Sequence, residues 1–142
     1  MILVNFEPKR PAGDVFRGRP AAPLKKAVVT VNGKPLPLRL DLGKISLSGF
    51  NWGYGGAGPG QLALAVLAHA AGDEVARAEW DRFRHGFIKK LDMRQPFAFT
   101  ASDVTAFLSG RPVDARQFIR PGQKQEKKGW RNFWKRLLEK AA

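Results

Sequence analysis

The chain has 142 residues, and 25 Lys and Arg residues against 12 Asp and Glu residues give it a formal net charge of +13. Like charges in a lone compact protein repel one another, so this surplus indicates a polyanion or an acidic surface as partner. The absence of Cys excludes disulfides and thiolate metal sites. The sequence shows neither a signal peptide nor a spanning segment, so we expect a soluble cytoplasmic protein for which membrane binding is the least favoured role.

The surplus charge is unevenly distributed along the chain. Residues 1–26 carry a net charge of +4, residues 27–110 one of +2 and residues 111–142 one of +7. We predict a basic Pro/Gly-rich N-terminal arm at 1–26, a body at 27–110, a basic linker at 111–128 and a C-terminal amphipathic helix at 129–142.

The arm and the start of the body predict strands. Residues 15–17 favour a short edge strand inside an otherwise extended arm. Residues 27–31 are β-rich and precede Asn32-Gly33, a dipeptide typical of a type I′ hairpin turn. The returning strand, about 36–40, is expected at a sheet edge, because Pro35 just before it and Pro37 within it cannot donate to a ladder.

Two main helices follow. Residues 61–71 are apolar nearly all round, which predicts a helix in the middle of the core, with Pro59 in its first turn and Gly72 at its end. A second helix is expected from Asp73, with one apolar face that recurs at helical spacing as far as Leu91.

The end of the body predicts one more strand and a short helix. Residues 97–99 return as a strand, and Thr100 or Ser102 then caps a helix that runs to about Leu108. The predicted fold class is therefore α+β: a small β-hairpin and antiparallel sheet packed on two main helices, followed by the basic linker and the amphipathic helix.

A glycine-rich loop precedes the first helix. Gly53-Tyr-Gly55-Gly-Ala-Gly58 matches the G-x-G-x-x-G pattern, in which backbone N–H groups cradle phosphate. The preceding stretch is no clear parallel strand and Pro59 removes one donor. We favour the interpretation that the glycines let the backbone pack tightly under Trp52 and Tyr54, and we keep a nucleotide-binding enzyme as the third hypothesis.

Candidates for catalysis or metal binding are few. His69 and His85 are the only histidines, and no Asp or Glu stands at ligand spacing from them. On the second helix we expect Arg77 to pair with Asp81 on a solvated face. The sequence therefore predicts no catalytic residue, no metal site and no cofactor.

Basic side chains that fit contacts with nucleic-acid phosphates occur in four stretches: the end of the arm, the end of the second helix, the linker and the terminal helix. They are Lys25, Lys26, Lys89, Lys90, Arg111, Arg116, Arg120, Lys124, Lys127, Lys128, Arg131 and Lys135. If the six linker residues each contact a phosphate, the logarithm of the affinity for duplex DNA should fall against that of the salt concentration with a slope of about −5.

The terminal segment carries a tight apolar stripe at helical spacing. Its candidate partner-binding residues are Trp130, Phe133, Trp134 and Leu137. Three interpretations stay open: the helix docks back on the body, it inserts the stripe into a groove of a partner protein, or it lies at an anionic membrane surface.

Four stretches of the body carry a resemblance to a known family. They are Phe50–Leu67, which reads FNWGYGGAGPGQLALAVL, with Val31–Leu36 and Leu38–Asp41 before it and Phe99–Val104 after it. Over about residues 15–108 the chain resembles an uncharacterised bacterial family, domain-of-unknown-function family 6166. The resemblance implies the outline of the body and a likeness to cargo of plasmids, phages and integrative elements, and it brings no catalytic residue.

The leading hypothesis is a non-enzymatic nucleic-acid-binding or ribonucleoprotein-associated protein from a mobile element, whose basic segments contact phosphates. The alternative is a protein-interaction module or an inhibitor of the anti-defence type that docks through its C-terminal aromatic helix.

Overall fold

The computed structural model of the chain describes residues 13–120, which contain a four-stranded antiparallel sheet and three α-helices. The strands are β1 (Val15–Arg19), β2 (Val28–Val31), β3 (Lys34–Pro35) and β4 (Phe97–Thr100), and the helices are α1 (Ala57–Ala71), α2 (Asp73–Gly86) and α3 (Ala101–Leu108). Two 3-10 helices lie at Ile88–Lys90 and Ala115–Phe118. The predicted α+β class, a sheet packed on helices, is confirmed.

Several predictions fall outside the described residues. They are the predicted terminal helix at 129–142 and the candidate residues Lys124, Lys127, Lys128, Trp130, Arg131, Phe133, Trp134, Lys135 and Leu137.

The sheet has the order β3-β2-β1-β4, so β1 lies inside it. The predicted strand at 15–17 is confirmed, but its predicted place at an edge was wrong, because β1 pairs with β2 on one side and with β4 on the other. Phe16 is fully buried at the centre of this sheet, and a Cβ atom on Gly18 would lie 2.1 Å from the ring of Phe97. The predicted boundary at residue 26 therefore divides the sheet rather than separating an arm from a body.

The hairpin turn is confirmed, whereas its returning strand is shorter than expected. Asn32 and Gly33 have φ angles of 51° and 82°, as a type I′ turn requires. β3 ends at Pro35, and after it Leu36 makes one further contact by donating its N–H to the Val29 carbonyl at 3.0 Å. Pro37 has no N–H group and so removes a donor that a strand over 36–40 would need.

The helices match the sequence prediction in order and nearly in length. α1 is buried from Pro59 to Ala68 and ends at Gly72, which has a φ of 100°. α2 stops at Gly86, five residues before the predicted apolar face ends. Leu91 is still buried, because the 3-10 helix that follows α2 turns it back into the core.

Residues 111–120 pack on the body and do not form a linker. Ala115 and Phe118 are buried, and the ring of Phe118 stacks on Phe87 with a centroid distance of 5.3 Å. Ile119 forms a bridge with Phe97 at the edge of β4. The polar composition predicted the wrong structure here, because two apolar side chains on one short turn are sufficient to anchor the segment.

Candidate nucleic-acid interface

The amide of Gln61 holds the long loop between β3 and α1. Its Oε1 accepts the N–H groups of Ile45 and Ser46, each at 2.9 Å, and its Nε2 donates to the carbonyls of Leu38 at 2.6 Å and Gly43 at 3.0 Å. The side chain is fully buried, and these four bonds use the full capacity of the amide. This part of the family-like string therefore has a structural role.

The indole of Trp52 likewise holds the loop before β4 by hydrogen bonds to its backbone. Its indole Nε1 donates to the carbonyls of Asp92 at 3.0 Å and Gln95 at 3.1 Å, and its ring packs edge-on against Phe97 at 4.8 Å. The loop at 92–95 is thereby tied to the segment that enters α1.

The glycines beside Trp52 allow close approach of the backbone, as the favoured interpretation of the G-x-G-x-x-G match expects. Gly53 has a φ of 87°, and a Cβ atom there would lie 2.3 Å from the backbone nitrogen of Met93. A Cβ atom on Gly56 would lie 2.4 Å from the ring of Tyr54.

His69 forms a hydrogen-bonded pair with Asp14. Nε2 of His69 lies 2.8 Å from Oδ2 of Asp14, and Oδ1 of Asp14 accepts from Nδ2 of Asn32 at 3.0 Å. These two bonds, first that from Asn32 and then that from His69, lower the pKa of Asp14. Among residues 13–120 no group of three His, Asp or Glu side chains could hold a metal ion.

The predicted pair of Arg77 with Asp81 was wrong, because Asp81 bonds to Arg84 one turn along α2. Arg84 also stacks its guanidinium over Trp80 at 5.0 Å and donates to the carbonyl of Gly56 at 3.3 Å. This second contact links α2 to the glycine-rich loop.

A second group of ion pairs is centred on Arg39. Arg39 bonds to both Asp41 and Asp73 at 3.0 Å, which raises the pKa of Arg39 and lowers that of Asp41. Arg84 and Arg39 are thus both neutralised by carboxylates that lie close to them.

Three of the predicted phosphate-binding residues converge on one surface. Lys90, Arg111 and Arg116 line two adjoining open depressions of about 550 and 570 Å³, which share Lys90, Val113 and Asp114. The segment after α3 folds back against the end of α2 and its 3-10 helix, and this brings residues 20 or more positions apart together. We call this surface the helical basic surface.

The helical basic surface has an aromatic wall. Phe107 lines the depression of about 550 Å³. The Arg82 guanidinium lies over the Phe107 ring at 4.9 Å from the centroid, and Nε of Arg82 bonds to Glu79 at 2.6 Å. Lys90 and Arg111 complete the surface, and no carboxylate of residues 13–120 forms an ion pair with either.

Arg116 is the one predicted residue of this surface that has a local partner. Its Nε and Nη2 bond to the two oxygens of Asp114 at 3.0 and 3.1 Å. Arg116 is the main cause of the lowered pKa of Asp114, to which the nearby Lys90 also contributes. A phosphate that binds Arg116 must therefore compete with Asp114.

The remaining predicted residues of the described part lie apart from this surface. Lys25 and Lys26 are exposed in the turn between β1 and β2, and Lys89 is exposed on the side of Gly55, with its Cδ 3.8 Å from where a Cβ of that glycine would stand. Arg120 lies on the opposite flank of the segment 111–120, where it lines a third depression of about 270 Å³ together with Arg17.

The sequence interpretation missed Arg17 because it assigned β1 to the arm. The alternation of apolar or small residues with arginines in β1 could have identified Arg17 as an exposed strand residue. In the structure Phe16 and Gly18 are buried, and Arg17 and Arg19 are exposed. Residues 13–120 hold sixteen basic and nine acidic side chains, a net charge of +7, so much of the surplus belongs to the part of the chain that the structure describes.

A family model described as a family of unknown function (DUF6166) matches residues 16–110, which confirms the resemblance found in the sequence. No curated protein and no solved structure matches the chain. Among the described residues, none of the helices is both long enough and apolar enough to span a bilayer.

Proposed function

The chain belongs to the family of unknown function DUF6166, and on that premise we propose that it is a non-enzymatic nucleic-acid-binding or ribonucleoprotein-associated protein of the cytoplasm. Its resemblance to cargo of plasmids and phages favours a mobile element as its source. The contacts are with phosphates and are independent of base sequence.

The convergence of Lys90 and Arg111 carries this proposal. The fold places these two cations beside the same depression, and no carboxylate of residues 13–120 forms an ion pair with either. Unpaired cations on an open surface attract phosphate, because binding releases counterions from the nucleic acid.

The test is the double variant K90Q/R111Q, measured by fluorescence anisotropy on a 20-bp DNA duplex over a series of salt concentrations. Loss of two phosphate contacts should reduce the slope of log affinity against log salt by about 1.8. The matched control is K44Q/R77Q, which removes the same charge at two exposed positions that line neither depression. Equal effects of the two double variants would refute the helical basic surface as the binding site.

A second candidate is the protein-interaction module that binds through Trp130, Phe133, Trp134 and Leu137. What favours it is the core of residues 13–120, in which Trp52, Phe16, Phe83 and other large side chains already bury one another. Deletion of residues 129–142 should then abolish capture of a host protein while the melting temperature stays unchanged. A large fall in the melting temperature would instead assign the segment to the core.

A further inference from the structure

Within residues 13–120, the sheet packs one face against the helices and leaves the other face open. Phe16 points to the helices, where its ring meets His69 of α1 edge-on at 5.5 Å. Arg17 and Arg19 point the other way and are exposed. Arg17 stands between Thr30 of β2 and Ala98 of β4 in the register of the sheet. We call this the open sheet face.

The open sheet face is electropositive. Its strands contain no acidic residue, and no carboxylate of residues 13–120 forms an ion pair with Arg17 or Arg19. Arg120 extends the face beyond β4, and its Nη1 donates to the carbonyls of Gln117 at 2.7 Å and Ile119 at 3.3 Å. These bonds orient the guanidinium and leave its other N–H groups available.

One carboxylate borders the depression between Arg17 and Arg120, and it is already bound. Oδ2 of Asp103 accepts the backbone N–H of Thr100 at 2.8 Å and its hydroxyl at 3.0 Å, as part of the cap of α3. Three arginines against this single carboxylate leave an excess of positive charge on the face.

The spacing and chemistry of the face fit a duplex backbone. Alternate side chains of a strand are about 7 Å apart. Phosphates of one strand advance about 3.4 Å per nucleotide along the duplex axis and also turn around it, so neighbouring phosphates are separated by about twice that rise, and Arg17 and Arg19 can meet successive phosphates. Guanidinium and hydroxyl groups, as on Arg17 and Thr30, are typical ligands of phosphate oxygens.

The same face lacks the groups that single strands need. Proteins that hold single strands stack the bases on aromatic side chains. The outward residues of the four described strands are Val15, Arg17, Arg19, Val28, Thr30, Pro35, Ala98 and Thr100, none of which is aromatic. A duplex keeps its bases stacked inside and presents only phosphates to such a surface.

We propose that the open sheet face binds the phosphate backbone of double-stranded nucleic acid, with Arg17 and Arg19 on successive phosphate positions and Arg120 at the rim. This inference rests on the proposed function and extends it, because it names the form of nucleic acid and assigns a second binding surface, distinct from the helical basic surface.

The experiment compares R17Q/R19Q with R77Q/R94Q in the full chain. All four arginines are exposed and both pairs remove two charges. Anisotropy titrations use a 20-bp DNA duplex and a 20-nucleotide single strand at several salt concentrations. For R17Q/R19Q we expect the duplex slope to fall by about 1.8 with at least a tenfold weaker affinity at low salt, while R77Q/R94Q stays within threefold of the wild type. R17K/R19K, which keeps both charges, should retain the slope.

The outcomes separate this inference from the proposed function. Equal effects of R17Q/R19Q and R77Q/R94Q, with salt-dependent binding by the wild type, would overturn the open sheet face and leave the proposed function standing. Tighter binding of the single strand than of the duplex by the wild type would overturn the choice of duplex. Wild-type affinity that does not change with salt would refute the proposed function itself. Circular dichroism melts of the variants verify that each is folded.

Discussion

Gln61 shows how a single side chain can fix a loop of the body. Its sequence context, an apolar helix, gives no indication of this role, because its partners are backbone groups of Leu38, Gly43, Ile45 and Ser46 in an irregular segment. Asp14 and His69 illustrate the same limit, since 55 positions separate them. Long-range contacts of this kind become visible only when the topology is known.

Replacement of Gln61 should be severely destabilising. Gln61→Leu leaves two N–H groups and two carbonyls without partners, one of them the buried N–H of Ser46, and at about 1–3 kcal/mol for each unsatisfied buried group we expect a loss of about 3 kcal/mol. The measurement is urea unfolding followed by tryptophan fluorescence. Gln117→Leu, at an exposed position, is the control and should change the free energy of unfolding little. A comparable loss in both variants would contradict the role of Gln61 in holding the loop between β3 and α1.

Asp14 should make stability depend on pH in the acid range. Its pKa is lowered in the folded state, so it binds a proton more weakly there than in the unfolded chain. The stability it contributes is therefore present above its ordinary pKa of 3.8 and is lost as the pH falls further. Asp14→Asn should lower the free energy of unfolding at pH 7 by about 2 kcal/mol and flatten its decline below pH 4. Parallel curves for the two proteins would refute this.

At the scale of elements, the sequence predicts whether a segment is a strand or a helix better than it predicts where that element begins and ends. The order of strands and helices, the Asn32-Gly33 turn and the end of α1 at Gly72 follow from local chemistry that acts within a few residues. β1 was misplaced because Gly18 resembles linker composition, whereas the structure uses it to let Phe97 approach the strand. Similarly, the segment after α3 is polar except where Phe118 anchors it.

The cap of α3 provides a prediction at this scale. The hydroxyl of Thr100 accepts the Asp103 N–H at 3.2 Å and the Asp103 carboxylate returns to the Thr100 N–H, which decides between the two candidate caps. Thr100→Ala should reduce the free energy of unfolding by about 1 kcal/mol, whereas Ser102→Ala should leave it nearly unchanged. Thermal melts of the two single variants make the comparison, and equal losses would contradict the assignment.

At the scale of the whole molecule, the packed unit extends past the family match. The match ends at Gly110, while Ala115 and Phe118 are buried further along the chain. We predict that a chain ending at Arg120 unfolds at nearly the wild-type temperature and that one ending at Gly110 is destabilised by about 3 kcal/mol or more, since it loses a buried Phe. The boundary would be wrong if both truncated chains melted alike.

The positive charge of the packed unit also continues beyond the family match. The helical basic surface and the open sheet face both belong to residues 13–120, and the segment 111–120 lies between them with Arg116 and Arg120. Two cationic surfaces on one small unit can contact several phosphates of one nucleic acid. The affinity should therefore depend on several phosphates at once.

Salt dependence of binding tests the central claim most directly. The affinity of the full chain for a 20-bp DNA duplex is measured by fluorescence anisotropy from 50 to 200 mM salt. Six phosphate contacts predict a slope of about −5 for log affinity against log salt concentration, which is a loss of about three orders of magnitude over that range. An affinity that stays constant from 50 to 200 mM would contradict the account of this protein as a phosphate-binding, nucleic-acid-associated protein.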